Sequence, residues 1–165
     1  MTVKKSFVNK KPQCSFCNTT SSLSNVVVSR GNPRARLMLV GEAPGAEEDL
    51  LCQAFVGRSG KLLDRLLKNV GIDLDCDAYF CNVVKCRPPK NRKPLKQEIN
   101  SSKPWLYQQI LLVDPWIIVL MGATAIESVL GIKGSIGKLR GEWQYLDKRL
   151  VMPVFHPSYL LRNPS

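Results

Sequence analysis

No stretch of this 165-residue chain approaches the roughly 18 consecutive apolar residues of a membrane helix, so neither a spanning segment nor a membrane partner is expected. The N-terminus carries Lys4, Lys5, Lys10 and Lys11 with no apolar core behind them. That is not a secretory signal, and a cytoplasmic location is the expectation. Internal repeats and low-complexity tracts are missing, which argues against a solenoid or a disordered tail. No lysine-bearing GxxxxGK loop occurs, which sets aside the common phosphate-loop α/β proteins. Histidine occurs once, as His156. Acids are scarce: 13 Asp and Glu stand against 24 Lys and Arg, a formal net charge of +11. A small domain this basic usually meets a polyanion, most often nucleic acid.

What is present suits one folded domain over residues 1–165, with 1–33 as a basic extension. A share of 44% hydrophobic and 22% charged residues supplies enough apolar side chains for a core. The basic charge is clustered. Between Asp77 and Glu98 no acid occurs, while Lys85, Arg87, Lys90, Arg92, Lys93 and Lys96 do. Pro88, Pro89, Asn91 and Pro94 break up the same stretch, so it reads as a loop rather than a helix face. A solvated basic surface without a partner is the bland alternative.

Six cysteines are present: Cys14, Cys17, Cys52, Cys76, Cys81 and Cys86. Without a secretory signal a disulfide framework is not expected. Cys14-Ser15-Phe16-Cys17 is a CxxC with loop-like flanks, which favours metal or cluster ligation over a redox pair.

Strands are expected at Arg36–Gly41, Ala78–Val84, Trp116–Met121 and Val151–Val154, each a short apolar run. Between them lie a short helix from Ala46, a helix capped by Ser59 and closed by Gly71, and a helix from about Pro94 towards Asp114 with a kink or break at Pro104. A further helix covers Ala123–Leu130. Strands apolar on both faces and alternating with helices imply an α/β fold: a three-layer αβα sandwich on a central, mainly parallel four-stranded sheet. Ligands in such folds bind beyond the carboxyl ends of the strands. Gly41–Gly45, Asn82–Arg87 and His156–Ser158 lie at those ends and should converge.

Several residues there have two open readings. Glu42, in a turn bounded by Gly41 and Gly45, is a solvated βα-turn residue or a carboxylate held towards a ligand. A lone histidine is more often structural than catalytic, but the place of His156 after a strand makes the odds even. Asn82, in an otherwise buried strand, either ties down a loop or reads a ligand edge with its paired donor and acceptor. Phe55 is a core plug or a base-stacking platform.

Four segments resemble the iron–sulfur (family 4) uracil-DNA glycosylases. They are Leu39–Gly45 with Glu48 and Asp49, Phe55–Gly60, Asn82–Pro89 with Asn91 and Arg92, and His156–Arg162. The similarity runs from Cys14 to Arg162. It implies an enzyme that flips uracil out of DNA and hydrolyses its N-glycosidic bond, leaving an abasic site for base-excision repair. Uracil-containing DNA, single- or double-stranded, would be the partner of a monomer. By resemblance Phe55 stacks on the base, Asn82 reads its N3–H and O4, and His156 donates to O2. Glu42 positions water or favours the cationic sugar, while Gly41, Glu42, Ala43 and Gly45 line the base. Catalysis would fall to Glu42, Asn82 and His156. Arg58, Lys85, Arg87, Arg92, Ser158 and Arg162 would contact phosphates.

The resemblance also implies a [4Fe–4S] cluster on four cysteines. Cys14, Cys17 and Cys86 match, but Ser102 stands at the fourth position, a far poorer ligand than a thiolate. A cluster with Ser102 or water on one iron, a three-iron cluster, or none would follow. Family members usually carry one more helix after the His-Pro-Ser motif, and this sequence stops at Ser165. A non-catalytic DNA-binding relative with a decayed iron–sulfur site is the alternative.

Overall fold

The structure, a computed structural model, describes residues 25–163. Cys14 and Cys17 therefore lie outside the described residues. The apolar runs form strands, each hydrophobic on both faces because successive side chains point to opposite sides of a sheet. In β2 (Leu37–Gly41), Met38 and Val40 face one core and Leu39 the other. In β3 (Ala78–Asn82), Tyr79 and Cys81 face the first core, Ala78 and Phe80 the second. The alternation repeats in β4 (Ile117–Met121), with Ile118 and Leu120 against Met121.

Helices cover both faces. The first core is closed by Leu106, Ile110 and Val113 of α3 (Lys96–Val113) and by Ala125, Ile126 and Val129 of α4 (Ala123–Leu130). The second is closed by Phe55 and by Leu63 of α2 (Arg58–Asn69). Full burial of one Leu or Ile contributes about 1.5–3 kcal/mol, so these stripes fix the layers. Shorter elements are α1 (Ala46–Leu51), α5 (Ile136–Leu139) and α6 (Pro157–Arg162).

The sheet has six strands rather than four, in the order β1-β3-β2-β4-β6-β5. The central β3, β2, β4 and β6 (Arg149–Val154) pair in parallel. The two additional strands, β1 (Arg30–Gly31) and β5 (Gln144–Leu146), are antiparallel edges. The expected extension over 1–33 also ends earlier. Val26 bridges Cys86, Val27 is fully buried, and β1 belongs to the sheet. Among the described residues no helix is long and apolar enough to cross a membrane.

Two helix expectations need correction. Gly57, not Ser59, is the N-cap of α2. Pro104 neither ends nor breaks α3, which runs through it. Proline removes one backbone donor, and here it does so on the exposed side, where Asn100 and Pro104 both face solvent.

Candidate active site

The carboxyl ends of the parallel strands open onto a cleft of about 620 Å³. Glu42, Ala43 and Gly45 follow β2, Asn82 ends β3, and His156 and Ser158 follow β6; all line it, together with Phe55. The three expected segments do converge. Gly41 does not line the cleft but underlies it. A Cβ there would sit 2.4 Å from Phe55 Cζ and 2.6 Å from Asn82 Oδ1. Glycine at 41 is what lets both side chains occupy the floor.

Phe55 is buried with φ of 56°, a left-handed conformation that costs a non-glycine residue of order 1–3 kcal/mol. Its backbone rests on the first turn of α2, so closely that a Cβ on Gly60 would fall 1.9 Å from its carbonyl oxygen. The ring lies 6.2 Å, centroid to centroid, from the His156 ring, at an interplanar angle of 32°. Backbone strain that persists only under such packing is a mark of a functional site.

Asn82 is 2% exposed, and its Oδ1 has no hydrogen-bond partner among the described residues. A buried unpaired acceptor costs about 1–3 kcal/mol. Aimed into a cleft, it calls for a ligand N–H.

His156 is the N-cap of α6. Its Nδ1 receives the Ser158 backbone N–H at 3.1 Å and lies 2.8 Å from the Ser158 hydroxyl. A backbone N–H can only donate, so Nδ1 is an acceptor and the ring proton sits on Nε2. Burial lowers the His156 pKa from the ordinary 6.5; Glu42 opposes this, Arg162 adds to it and Glu48 opposes it. The neutral ring is therefore a donor through Nε2.

Glu42 is oriented by a residue that the sequence reading missed. Thr124, 4% exposed in the first turn of α4, donates its hydroxyl to Glu42 Oε2. The signal was available: Thr124 follows the carboxyl end of β4, and the strand-end rule applied to that strand too. Thr124→Val removes the bond while keeping the shape. The expected result is a roughly tenfold lower turnover, the effect of about 1.4 kcal/mol, with unchanged affinity for the DNA, measured by steady-state base release.

Glu48, named with the first resembling segment but given no role there, is 9% exposed. Its Oε2 accepts from Gly45 N–H at 3.1 Å and its Oε1 from Gly57 N–H at 2.7 Å. One carboxylate thus ties the turn after β2 to the start of α2.

Of the expected phosphate contacts, Arg58 and Arg162 are exposed on the cleft lining. Arg92 also lines it, but is held by Glu98 through bonds of 2.7 and 2.8 Å. Ser158 is engaged with His156, and Arg87 is not part of the lining, but its Nε donates to Oδ1 of Asn91, which is. Lys85 requires correction. It is 1% exposed, and its ammonium donates inward to Asn82 O and Gln109 Oε1, so it does not reach a phosphate. Burial lowers its pKa. The basic loop turns this one residue into the core because its bonding partners lie there.

The expected cluster ligands are only partly described. Cys86 and Ser102 are both buried, and Val26 pairs with Cys86 through an isolated antiparallel bridge. Among the described residues no group of three or more His, Cys, Asp or Glu could hold a metal. Of the implied donor set the described residues thus hold one thiolate, Cys86, and one hydroxyl, Ser102.

The uracil DNA glycosylase superfamily model matches residues 28–165. The chain belongs to this superfamily. It is 47% identical over 155 residues to the type-4 uracil-DNA glycosylase of Thermotoga maritima, covering 93% of this chain and 80% of that protein. The type-4 uracil-DNA glycosylase of Sulfurisphaera tokodaii is 39% identical over 161 residues, covering 92% and 73%. That of Archaeoglobus fulgidus is 33% identical over 160 residues, covering 92% and 80%. Within the superfamily the similarity is thus to the type-4 branch. The matched region contains every cleft residue named above.

Proposed function

We propose that this chain is a uracil-DNA glycosylase that accepts a uracil flipped out of DNA and hydrolyses its N-glycosidic bond. The observation that carries the reading is the orphaned Asn82 Oδ1 at the floor of the cleft. Uracil presents an N3–H to such an acceptor, and its neighbouring O4 suits the amide N–H₂. Phe55 supports the base face. The Nε2–H of His156 is available to uracil O2, where negative charge gathers as the bond to C1′ lengthens. Glu42, steadied by Thr124, faces the positive charge that develops on the sugar and can hold the attacking water. Water oxygen joins C1′ and releases one proton, the bonding pair leaves with uracil N1, and the uracil anion takes up a proton in exchange. Crowding by the backbone at Glu42 and Ala43 excludes a 5-methyl group.

Within the cleft lining, Arg58, Arg92, Arg162 and Ser158 are the groups that a DNA backbone would meet, consistent with the net charge of +11. The base enters singly, so single- and double-stranded DNA are both substrates, and double strands bear the added cost of unpairing. The chain works as a monomer in the cytoplasm. Cys14, Cys17 and Cys86 would hold an iron–sulfur cluster, with Ser102 or water at the fourth iron. When bound, the cluster supplies structural support to the N-terminal segment and takes no part in base release.

The test is uracil release from a single-stranded uracil oligonucleotide, read by alkaline cleavage at the abasic site. Iron and visible absorbance are measured on the same anaerobic preparation. Release from uracil but not from thymine DNA is expected. Folded, DNA-binding protein that frees no base would overturn the enzyme reading, and iron-free, colourless but active protein would overturn the cluster.

A further inference from the structure

Lys85 is among the largest fully buried side chains of the protein. No carboxylate of the described residues pairs with it. A fully buried lysine is costly relative to an apolar residue, and the proposed chemistry makes no use of it. Its contacts are specific. Nζ donates to the backbone carbonyl of Asn82 at 2.5 Å and to Gln109 Oε1. Gln109 Nε2 in turn donates to the Tyr79 hydroxyl at 2.9 Å and to the carbonyl of Val28 at 3.0 Å. The Lys85 backbone is fixed as well, because its carbonyl accepts the Val27 N–H at 2.8 Å.

The place where this network ends is informative. Asn82 is the last residue of β3, and the chain turns immediately after it. Val83 N–H and Val84 N–H donate to the carbonyls of Gly41 and Glu42, at 2.9 and 3.0 Å. Those bonds hold the residues beyond Asn82. The Lys85 ammonium holds the Asn82 peptide itself by reaching back three residues. That peptide is joined directly to the Cα from which the Asn82 side chain branches, and that side chain carries the unpaired acceptor of the cleft.

We infer that Lys85, oriented by Gln109, is a positioning residue for the base-reading amide of Asn82. This inference rests on the glycosylase reading. Val28, Gln109, Lys85 and Asn82 form one hydrogen-bonded path from the N-terminal segment to the cleft floor. Lys85 acts from behind the floor and touches neither base nor phosphate.

The test uses Lys85→Met, which keeps the stem without the ammonium, and Gln109→Leu, which leaves Lys85 but removes its orienting partner. Three quantities are read well below each variant's melting temperature: kcat and KM on a uracil oligonucleotide, inhibition by free uracil, and Kd for a uracil-free oligonucleotide. Lys85→Met is expected to weaken uracil inhibition about tenfold and to lower kcat by about tenfold or more, the effect of one misplaced hydrogen bond. Its Kd for uracil-free DNA stays unchanged. Gln109→Leu shifts the same quantities in the same direction by less. A lower melting temperature with kcat and uracil inhibition intact would make Lys85 a packing residue and overturn the proposal. Weaker binding of uracil-free DNA as the main effect would overturn it in favour of a phosphate contact. Should Lys85→Met fail to fold, Gln109→Leu decides by the same readouts. Failure of the parent reading looks different: the unaltered protein would then neither release nor bind uracil.

Discussion

His156→Ala is expected to slow uracil release about 10²- to 10³-fold, the usual loss on removing one donor to a developing oxyanion. The large effect follows from the arrangement at Nδ1. With the Ser158 N–H donating there, the ring has a single tautomer, and its only proton points away through Nε2. The donor is therefore oriented before the base arrives. The loss should fall on kcat, with KM nearly unchanged, because charge on O2 appears only as the bond breaks. The pH profile should carry the same signature. Burial lowers the His156 pKa below 6.5, so the native ring stays neutral where an unfolded chain already takes up a proton. The sign is then fixed: stability is complete above pH 6.5 and declines as pH falls from there towards the lowered native value. Activity should decline over the same acidic range, because a proton on Nδ1 displaces the Ser158 N–H and turns the ring. A kcat profile between about pH 5 and 8 checks this. A loss on the alkaline side of neutrality instead would contradict the neutral-donor role.

Asn82→Ala is the second large effect. It removes the acceptor for N3–H and the donor for O4 together, and sites built to read a base edge in this way lose a factor of about 10² or more when the pairing is lost. Unlike His156→Ala, it should raise KM and abolish inhibition by free uracil, since the edge is read in the ground state as well. It should also be mild towards folding. The unpaired Oδ1 carries a desolvation cost of about 1–3 kcal/mol in the unliganded protein. Deleting it offsets the small void that alanine leaves, and the melting temperature should move by only a few degrees. An inactive variant that has lost much of its stability would mean that Asn82 mainly ties the loop in place.

The central strands were legible because each is a continuous apolar run, the signature of a strand covered on both faces. The ligand face followed from the strand ends, and Glu42, Asn82 and His156, which lie at those ends, line one cleft. Thr124 was not singled out, and Glu48 was named without a role. Thr124 matters through one bond to Glu42 and Glu48 through a bond that reaches Gly57 on another element, and no local pattern records either. Lys85 was misread for a related reason. In the sequence it is one of several cations in a loop, and only the fold shows that Gln109, 24 residues away, draws it inward. The N-cap of α2 was misplaced because serine is the commoner cap, whereas here Gly57 donates its N–H to Glu48.

The edge strands escaped notice because they span two and three residues, too few for alternation to register. Their brevity has a consequence for how the protein behaves in a crowd. A parallel sheet of apolar strands exposes, at each margin, a row of backbone groups on which another chain could grow. Here β1 and β5 occupy those margins, and neither is long enough to template a neighbour. Arg30, beside β3, is locked to Asp64 at 2.6 Å, while Lys148 and Arg149 cluster on Asp114 at the turn into β6. Charge and shortness together make the sheet a poor seed for aggregation, so the strands most prone to self-association are the ones the fold keeps inside.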